Sequence, residues 1–257
     1  MPRLAATSVV LLLALGLACD SGPPGPAQIR IAHFIADGPG VDVCLKPDGT
    51  AAYSGKFVNN GGLNFASMSS RTGVDAGTYS LRIVAASATD CSTSLNGLGD
   101  IGGISLDGDT PYTVALLGLL SGSGNTGVAE RSFTDDTGAP ASPGVKLRYV
   151  HVSAELPQVD VGVLSGSTFL PLNPAVTLNY GDSSVYYAYG AGVSNATLAV
   201  EDHNTQALDL SGTFSATGGT VNSVYVVGRP TQTSGDPRLS FLMCPENGTP
   251  ICLRFPQ

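Results

Sequence analysis

The stretches RIAHFIADGPGVDV, from Arg30, and RYVHVSAELPQVDV, from Arg148, place the same chemistry at the same spacing. His33, Asp37 and Asp42 in the first match His151, Glu155 and Asp160 in the second, each pair 118 residues apart. One imidazole and two carboxylates form a donor set suited to a divalent cation. A histidine oriented by a carboxylate is also part of a nucleophilic machine, which then needs a hydroxyl or thiol. Ser153 supplies one in the second stretch, but Ile35 stands in the matching place in the first. A ligand-binding loop is the third reading. Against all three stands a structural role. On a pleated strand His33 shares a face with Ile29 and Ile31, and His151 shares one with Leu147 and Tyr149. A histidine on an inward apolar face bonds to backbone or to a nearby carboxylate. Asp42 and Asp160 follow loops bearing Pro39 and Pro157, which a carboxylate can fasten through backbone N–H groups or the histidine N–H. A fold-holding device is needed in every copy, whereas a catalytic site is commonly needed once. The duplication therefore favours the structural role, and no catalytic residue, metal ligand or cofactor is assigned.

The elements that carry these residues also repeat. PYTVALLG ends at Gly118 and NSVYVVG at Gly228, 110 residues on, and VAERSF from Val128 aligns with RLSFLM from Arg238 at the same offset. GTYSLRIV from Gly77 answers GVSNATLAV from Gly192. The first copy is longer by about eight residues, and ATDCSTSLNGLGD around Cys91 is the expected insertion. Each copy reads as short apolar or alternating runs (QIRIAHF, VDVCL, YSLRIVA and YTVALLG, then KLRYVHV, VDVGVL, SSVYYAYG, NATLAV and NSVYVVG) separated by Gly, Asp and Pro turns. The pattern predicts an all-β protein, two tandem immunoglobulin-like antiparallel β-sandwich modules after a signal peptide. The expected boundaries are a signal peptide over 1–18, a lipidated cysteine and Pro/Gly tether over 19–27, and module 1 over 28–136. A linker over 137–144, module 2 over 145–243 and a C-terminal disulfide hairpin over 244–257 complete the chain.

Arg3 followed by AATSVVLLLALGLA has the form of an export signal, too short for a comfortable membrane span. It ends at Cys19 with a small residue before it, the arrangement of a lipidated cysteine, although Gly16 stands where a lipobox has leucine. The five cysteines are an odd count. Giving Cys19 to the lipid leaves Cys44, Cys91, Cys244 and Cys252 to pair in an oxidising compartment. Three connectivities are open, and local pairing, Cys44–Cys91 and Cys244–Cys252, is the expectation. The chain-entropy model assigns them ~4 and ~2.5 kcal/mol. CPENGTPIC, with its Asn-Gly turn signal, reads as a hairpin beyond the repeat. The chain has 257 residues, 42% apolar and only 12% charged, with net charge −8 and no basic cluster. Nucleic acid is therefore excluded as a partner.

An opening strand ending in His, a Pro-bearing loop, VDV, a Gly-turn strand and YTV…G together resemble domain of unknown function 4397 over nearly all of 28–243. Members usually read His-Ala-Ser-Pro-Asp-Ala-Pro where this chain has HFIADGP and HVSAELP. The resemblance implies an exported bacterial protein with immunoglobulin-like sandwiches, often in tandem, and implies no activity.

Other motifs read as turns or edges. LDGDTPY lacks the glycine and distal glutamate of a calcium loop, and SGSGN lacks the Lys-Ser/Thr of a phosphate loop. Asn195 and Asn247 begin sequons by letter alone. Tyr186, Tyr187 and Tyr189 either close a sandwich edge or, if exposed, offer a stacking surface. The reading that results is a non-enzymatic cell-envelope lipoprotein whose modules serve binding, adhesion or envelope structure. Its expected partners are a membrane, through the N-terminal lipid, and an envelope protein or polysaccharide. The alternative is an envelope hydrolase, or a metal- or ligand-binding protein, using the His–acid loop of one module. Replacing Cys19 by Ser is expected to release the protein from membranes, read by fractionation; a wild type already fully soluble in the periplasm or medium would refute the anchor.

Overall fold

The structure, a computed structural model, describes residues 24–59, 61–232, 236–248 and 251–256. The segments expected as a signal peptide, lipidated Cys19 and most of the tether lie outside the described residues. The chain is built from strands: β1 (Ala27–Ile35), β2 (Val41–Pro47), β3 (Ser67–Met68), β4 (Thr72–Val74), β5 (Gly77–Ala85), β6 (Ile101–Leu106), β7 (Pro111–Gly118) and β8 (Ala129–Thr134) form a first unit. A second unit contains β9 (Val145–His151), β10 (Val159–Ser165), β11 (Thr168–Leu178), β12 (Tyr187–Tyr189), β13 (Val193–Asp202), β14 (Leu208–Ala216), β15 (Val221–Val227), β16 (Ser240–Pro245) and β17 (Leu253–Phe255). In the first unit a sheet ordered β3-β1-β7-β8, with β4 also on β1, faces a sheet ordered β2-β5-β6. The second repeats this as β12-β9-β15-β16-β17 facing β11-β10-β13-β14. These are the all-β sandwiches that the periodicity predicts.

Several details differ from the sequence reading. Pairing is antiparallel except at one place in each unit, where β1 runs parallel to β7 and β9 parallel to β15. Strands β6, β11 and β14 are absent from the sequence reading, because glycines, prolines and interspersed polar residues break the alternation in IGGISL, TFLPLNPAVTL and LDLSGTFSA. Only 187–189 of SSVYYAYG is strand. The last strands align at an offset of 111 rather than 110, since Val114 faces Ser132 and Val224 faces Met243. The tether is ordered where it meets the body: Ala27 pairs with Val74, and Gly25 donates to the Asp109 carboxylate at 3.0 Å.

Each sandwich fills with inward residues. Ile29, Ile31, Val43, Leu81, Ile83, Val114 and Leu116 are among those packed in the first, and Leu147, Val161, Leu198, Val200, Val224 and Phe241 in the second. The alternate residues of the outer sheets do not face water. Ala32, Phe34, Ala115, Leu117 and Phe133 pack against Val150, Val152, Tyr225, Val227 and Leu242 in a third core between the units. This third core joins the two units through their outer sheets. Strands β1, β7, β9 and β15 are consequently buried on both faces, which is why they read as near-continuous apolar runs.

At one end of this third core lies a buried ion cluster. The Arg30 guanidinium donates to Thr113 Oγ1 (2.8 Å), the Pro245 carbonyl (2.6 Å) and Glu246 Oε2 (2.5 Å). Arg148 mirrors it across the interface, donating to Ser223 Oγ (2.8 Å), the Thr134 carbonyl (2.8 Å) and Asp135 Oδ1 (2.6 Å). Arg71 donates to both Asp135 (2.6 Å) and Glu246 (3.1 Å). Both carboxylates are fully shielded from solvent. Removing one partner of such a cluster strands buried charge and costs about 3–5 kcal/mol. Glu246→Ala is therefore expected to lower stability by that amount in a denaturant melt, and Asp135→Ala by a similar amount; a change within about 0.5 kcal/mol, as for ordinary surface substitutions, would refute the role of the cluster.

Candidate functional site

The repeated His–acid motif opens at the ends of β1 and β9. The alternation that turns Arg30, Ala32 and Phe34 toward the other unit turns Ile29, Ile31 and His33 toward the first core. His33 and His151 are fully buried. Each imidazole is held the same way. His33 Nε2 lies 3.0 Å from the Pro39 carbonyl, and its Nδ1 accepts the Ile35 N–H at 3.3 Å. His151 Nε2 lies 2.9 Å from the Pro157 carbonyl, and its Nδ1 accepts the Ser153 N–H at 3.4 Å. This pattern requires the neutral ring with its proton on Nε2. Burial lowers the His33 pKa to about 4, against the opposing pull of the Pro39 carbonyl, and burial lowers that of His151 as well. An aromatic ring meets each imidazole edge-on, Phe65 at 6.4 Å and Tyr180 at 6.1 Å.

The acids do not join the histidines. Asp37 accepts from the Leu120 N–H (2.5 Å), the Ser121 N–H (2.9 Å) and the Ser121 hydroxyl (2.6 Å). Glu155 occupies the equivalent place, bonded to Arg229 (2.5 Å) and Thr231 (3.3 Å). Both acids thus tie the first loop to the loop that follows β7 or β15. That second loop turns at Gly118 and Gly228, whose φ values are +107° and +93°. A side chain there would also strike the Gly127 or Arg238 carbonyl at under 2.5 Å, so glycine is required twice over. Asp42 accepts the N–H groups of Val43 (2.8 Å), Val58 (2.9 Å) and Asn59 (2.9 Å), with Lys56 Nζ at 3.5 Å. It fastens the segment after β2, as a loop-holding aspartate should. Asp160 bonds instead to Thr177 (2.5 Å) and to His203 Nδ1 (2.9 Å), partly in solvent. The Ser153 hydroxyl donates to the Gly228 carbonyl at 2.7 Å. No group of three or more His, Cys, Asp or Glu side chains suited to a metal ion occurs among the described residues.

The cysteines pair as Cys44–Cys91 and Cys244–Cys252. The first bond joins β2 to the long β5–β6 connection, and the second closes the hairpin in which β17 pairs with β16. Tyr187 and Tyr189 pack on the second core, and the Tyr149 and Tyr189 hydroxyls meet at 3.1 Å. Tyr186 instead reaches the ion cluster, donating to Glu246 Oε1 at 2.9 Å beneath the Arg148 guanidinium. Of the charged groups in that cluster, the sequence reading singles out Arg30 and Arg148 as a repeated pair but not their partners. The missed signal is a carboxylate just after the last strand of each repeat, Asp135 and Glu246, joined to a hydroxyl at matching positions of β7 and β15, Thr113 and Ser223.

Together these features define an all-β protein of two immunoglobulin-like sandwiches packed outer sheet to outer sheet, each with a histidine-pinned loop. The family described as Domain of unknown function (DUF4397) matches residues 27–162, from β1 through the opening motif of the second unit, and the chain belongs to that family. Among curated proteins no relative matches. Two solved structures are similar in outline: a candidate adhesin from Bacteroides ovatus (10% identity, 91% of this chain and 97% of that one, TM-score 0.20) and a candidate cell adhesion protein from Bacteroides fragilis (11%, 88% and 98%, TM-score 0.20). At that TM-score they carry no argument about function.

Replacing His33 or His151 by Ala removes two hydrogen bonds and leaves a small cavity, at an expected cost of about 1–3 kcal/mol each. The two losses should add, since the rings share no bonding partner, and chelator should leave every melt unchanged; a chelator-sensitive wild type with stable, chelator-insensitive variants would overturn this account. The depressed His33 pKa also fixes a sign. Its ordinary value is 6.5, so the unfolded chain takes up the proton first as pH falls. The stability tied to the neutral ring is complete above pH 6.5 and drains away toward pH 4, about 3 kcal/mol in all. Melts across that window should show the loss in the wild type and a flatter profile in His33→Asn.

Proposed function

We propose that this protein is a non-enzymatic binding protein of the bacterial cell envelope, exported and anchored through lipid on Cys19, whose fused sandwiches present a rigid body to an envelope protein or polysaccharide. One observation carries the non-catalytic half of this reading: the chemistry-bearing motif is spent on the fold in both copies. Each histidine uses its two ring nitrogens on its own loop, and the neighbouring acids tie loops together. The competing hydrolase reading needs His151 beside Ser153 Oγ and an acid beside His151. Instead the Ser153 hydroxyl is bonded to the Gly228 carbonyl and Glu155 to Arg229. The paired cysteines and the apolar N-terminal segment support an exported setting.

The test pairs a pull-down on protein and polysaccharide fractions of envelope extract with a panel of ester, peptide and glycoside substrates. Saturable capture from a defined fraction without turnover is expected. Turnover abolished by His151→Ala in a variant that still melts cooperatively would overturn the reading in favour of a hydrolase.

A further inference from the structure

The two units are nearly symmetric about their interface, and the departure from symmetry points to a site. The Ala66 N–H bonds to the His33 carbonyl as the Gly181 N–H bonds to the His151 carbonyl, each at 2.8 Å, so Phe65 and Tyr180 are equivalent residues. By strand register Arg131, opposite Ala115, is the counterpart of Leu242, opposite Tyr225. Beside Phe65 the interface is closed by the C-terminal hairpin. The Arg254 guanidinium lies 5.7 Å from the Phe65 ring, donates to Ser240 Oγ (2.6 Å) and the Arg238 carbonyl (2.9 Å), and pairs with Asp236. Among the described residues the first unit has no counterpart of β17. Beside Tyr180 the equivalent position is an open cleft of about 410 Å³, lined by Leu117, Gly124, Asn125, Ala129, Arg131 and Tyr180 together with Asn179.

The substitutions in the open cleft are those of a binding site. Phe65 becomes Tyr180, whose hydroxyl is buried with no hydrogen-bond partner. Buried Leu242 becomes exposed Arg131, which among the described residues makes one hydrogen bond, to the Glu130 carbonyl at 3.0 Å. Asn125, on the Gly-rich turn 121–127, adds an exposed amide. A cation and an amide thus flank an aromatic and aliphatic wall. A planar fork such as Arg131 matches a carboxylate in bidentate fashion. An aromatic face accepts the C–H face of a sugar ring, while the amide suits its hydroxyls. The space is in the range of small-ligand sites. We propose that this inter-unit cleft binds an acidic saccharide, a sugar unit bearing a carboxylate that Arg131 holds while the ring lies against Tyr180. The proposal rests on the binding reading above and assigns it a site and a ligand class.

The probe is a trigalacturonate, compared with its carboxyl-reduced neutral form, by saturation-transfer NMR and calorimetry on the wild type, Arg131→Leu, Arg131→Lys and Tyr180→Phe. The leucine and phenylalanine variants recreate the residues of the closed side. The wild type should bind the acidic form about tenfold or more tighter than the neutral one, the size of a charge-assisted pair. Arg131→Leu should erase that preference with its melting temperature unchanged, Tyr180→Phe, which keeps the ring and loses only the buried hydroxyl, should bind both sugars as the wild type does, and Arg131→Lys, the variant to read if the leucine form melts early, should retain part of the preference. Equal affinity for the two forms, no binding by the wild type, or full binding by Arg131→Leu overturns the proposal. The envelope pull-down separates the two levels: capture that Arg131→Leu leaves intact removes this site while keeping a binding function, whereas no capture by the wild type removes the function itself.

Discussion

The arginine–carboxylate cluster between the units is the constraint on which the rest of the structure depends. Burying Arg30, Arg71, Arg148, Asp135 and Glu246 carries a heavy desolvation cost, recovered only if every charge finds partners in good geometry. Each unit supplies only part of that set: Arg30 has Asp135 of its own unit at 3.7 Å and Arg148 has Glu246 of its own at 3.3 Å, but the shorter contacts, at 2.5 and 2.6 Å, cross the interface. Arg30 sits in the first strand of the first unit and finds Glu246 after the last repeated strand of the second; Arg148 in the second finds Asp135 in the first. The crossing is reciprocal down to the hydroxyls, since Thr113 bonds to both Arg30 and Asp135, and Ser223 to both Arg148 and Glu246. A sandwich separated from its mate would expose an apolar sheet face and strip its arginine of its shortest carboxylate contact. The repeat is thus a single folded body made of two similar halves.

That constraint propagates into each half. A sheet that packs on both faces needs strands apolar on both faces, and β1, β7, β9 and β15 meet that need. Such strands have few side chains free to hold the loops at their ends, so the loops are secured from within. A neutral histidine at the end of the first strand pins its own loop through a proline carbonyl, and an acidic residue in that loop reaches across to the turn after the seventh strand. The glycines at 118 and 228 let that turn fold back closely enough to be reached.

How legible all this was depended on whether a residue's partner lies near it in sequence. The pleat alone placed His33 with Ile29 and Ile31, and the carbonyl that holds the ring is six residues away. The Asn-Gly signal likewise marked the hairpin that Cys244 and Cys252 close. The ion cluster was illegible, although Arg30 and Arg148 were visible as a repeated pair, because the acid that meets Arg30 is 216 residues away. Chain connectivity also hid the parallel pairing of β1 with β7, since no local signal marks which strand closes a sheet. Asp160 shows the limit of arguing by repetition. Its counterpart Asp42 fastens three backbone N–H groups, whereas Asp160 meets Thr177 and His203, because β11 replaces the loop that Asp42 holds.

Repetition is most informative where it breaks down. Positions that serve the fold are preserved in kind between the halves: arginine with arginine, histidine with histidine, threonine with serine, aspartate with glutamate, glycine with glycine. Each answers a demand that both halves share. At the far end of the third core the halves differ in the opposite sense. One side has phenylalanine, leucine and a covering arginine from the C-terminal hairpin; the other has tyrosine, arginine and nothing above them. The buried Tyr180 hydroxyl has no partner and costs desolvation, whereas the exposed Arg131 keeps its water and lies against Gly181. Where no hairpin covers the cleft, a charged residue suits the solvent-facing position better than leucine would. The polar version stands on the side left open to solvent, so the repeat breaks where the covering differs, and the exposed guanidinium there can meet a molecule from outside the fold.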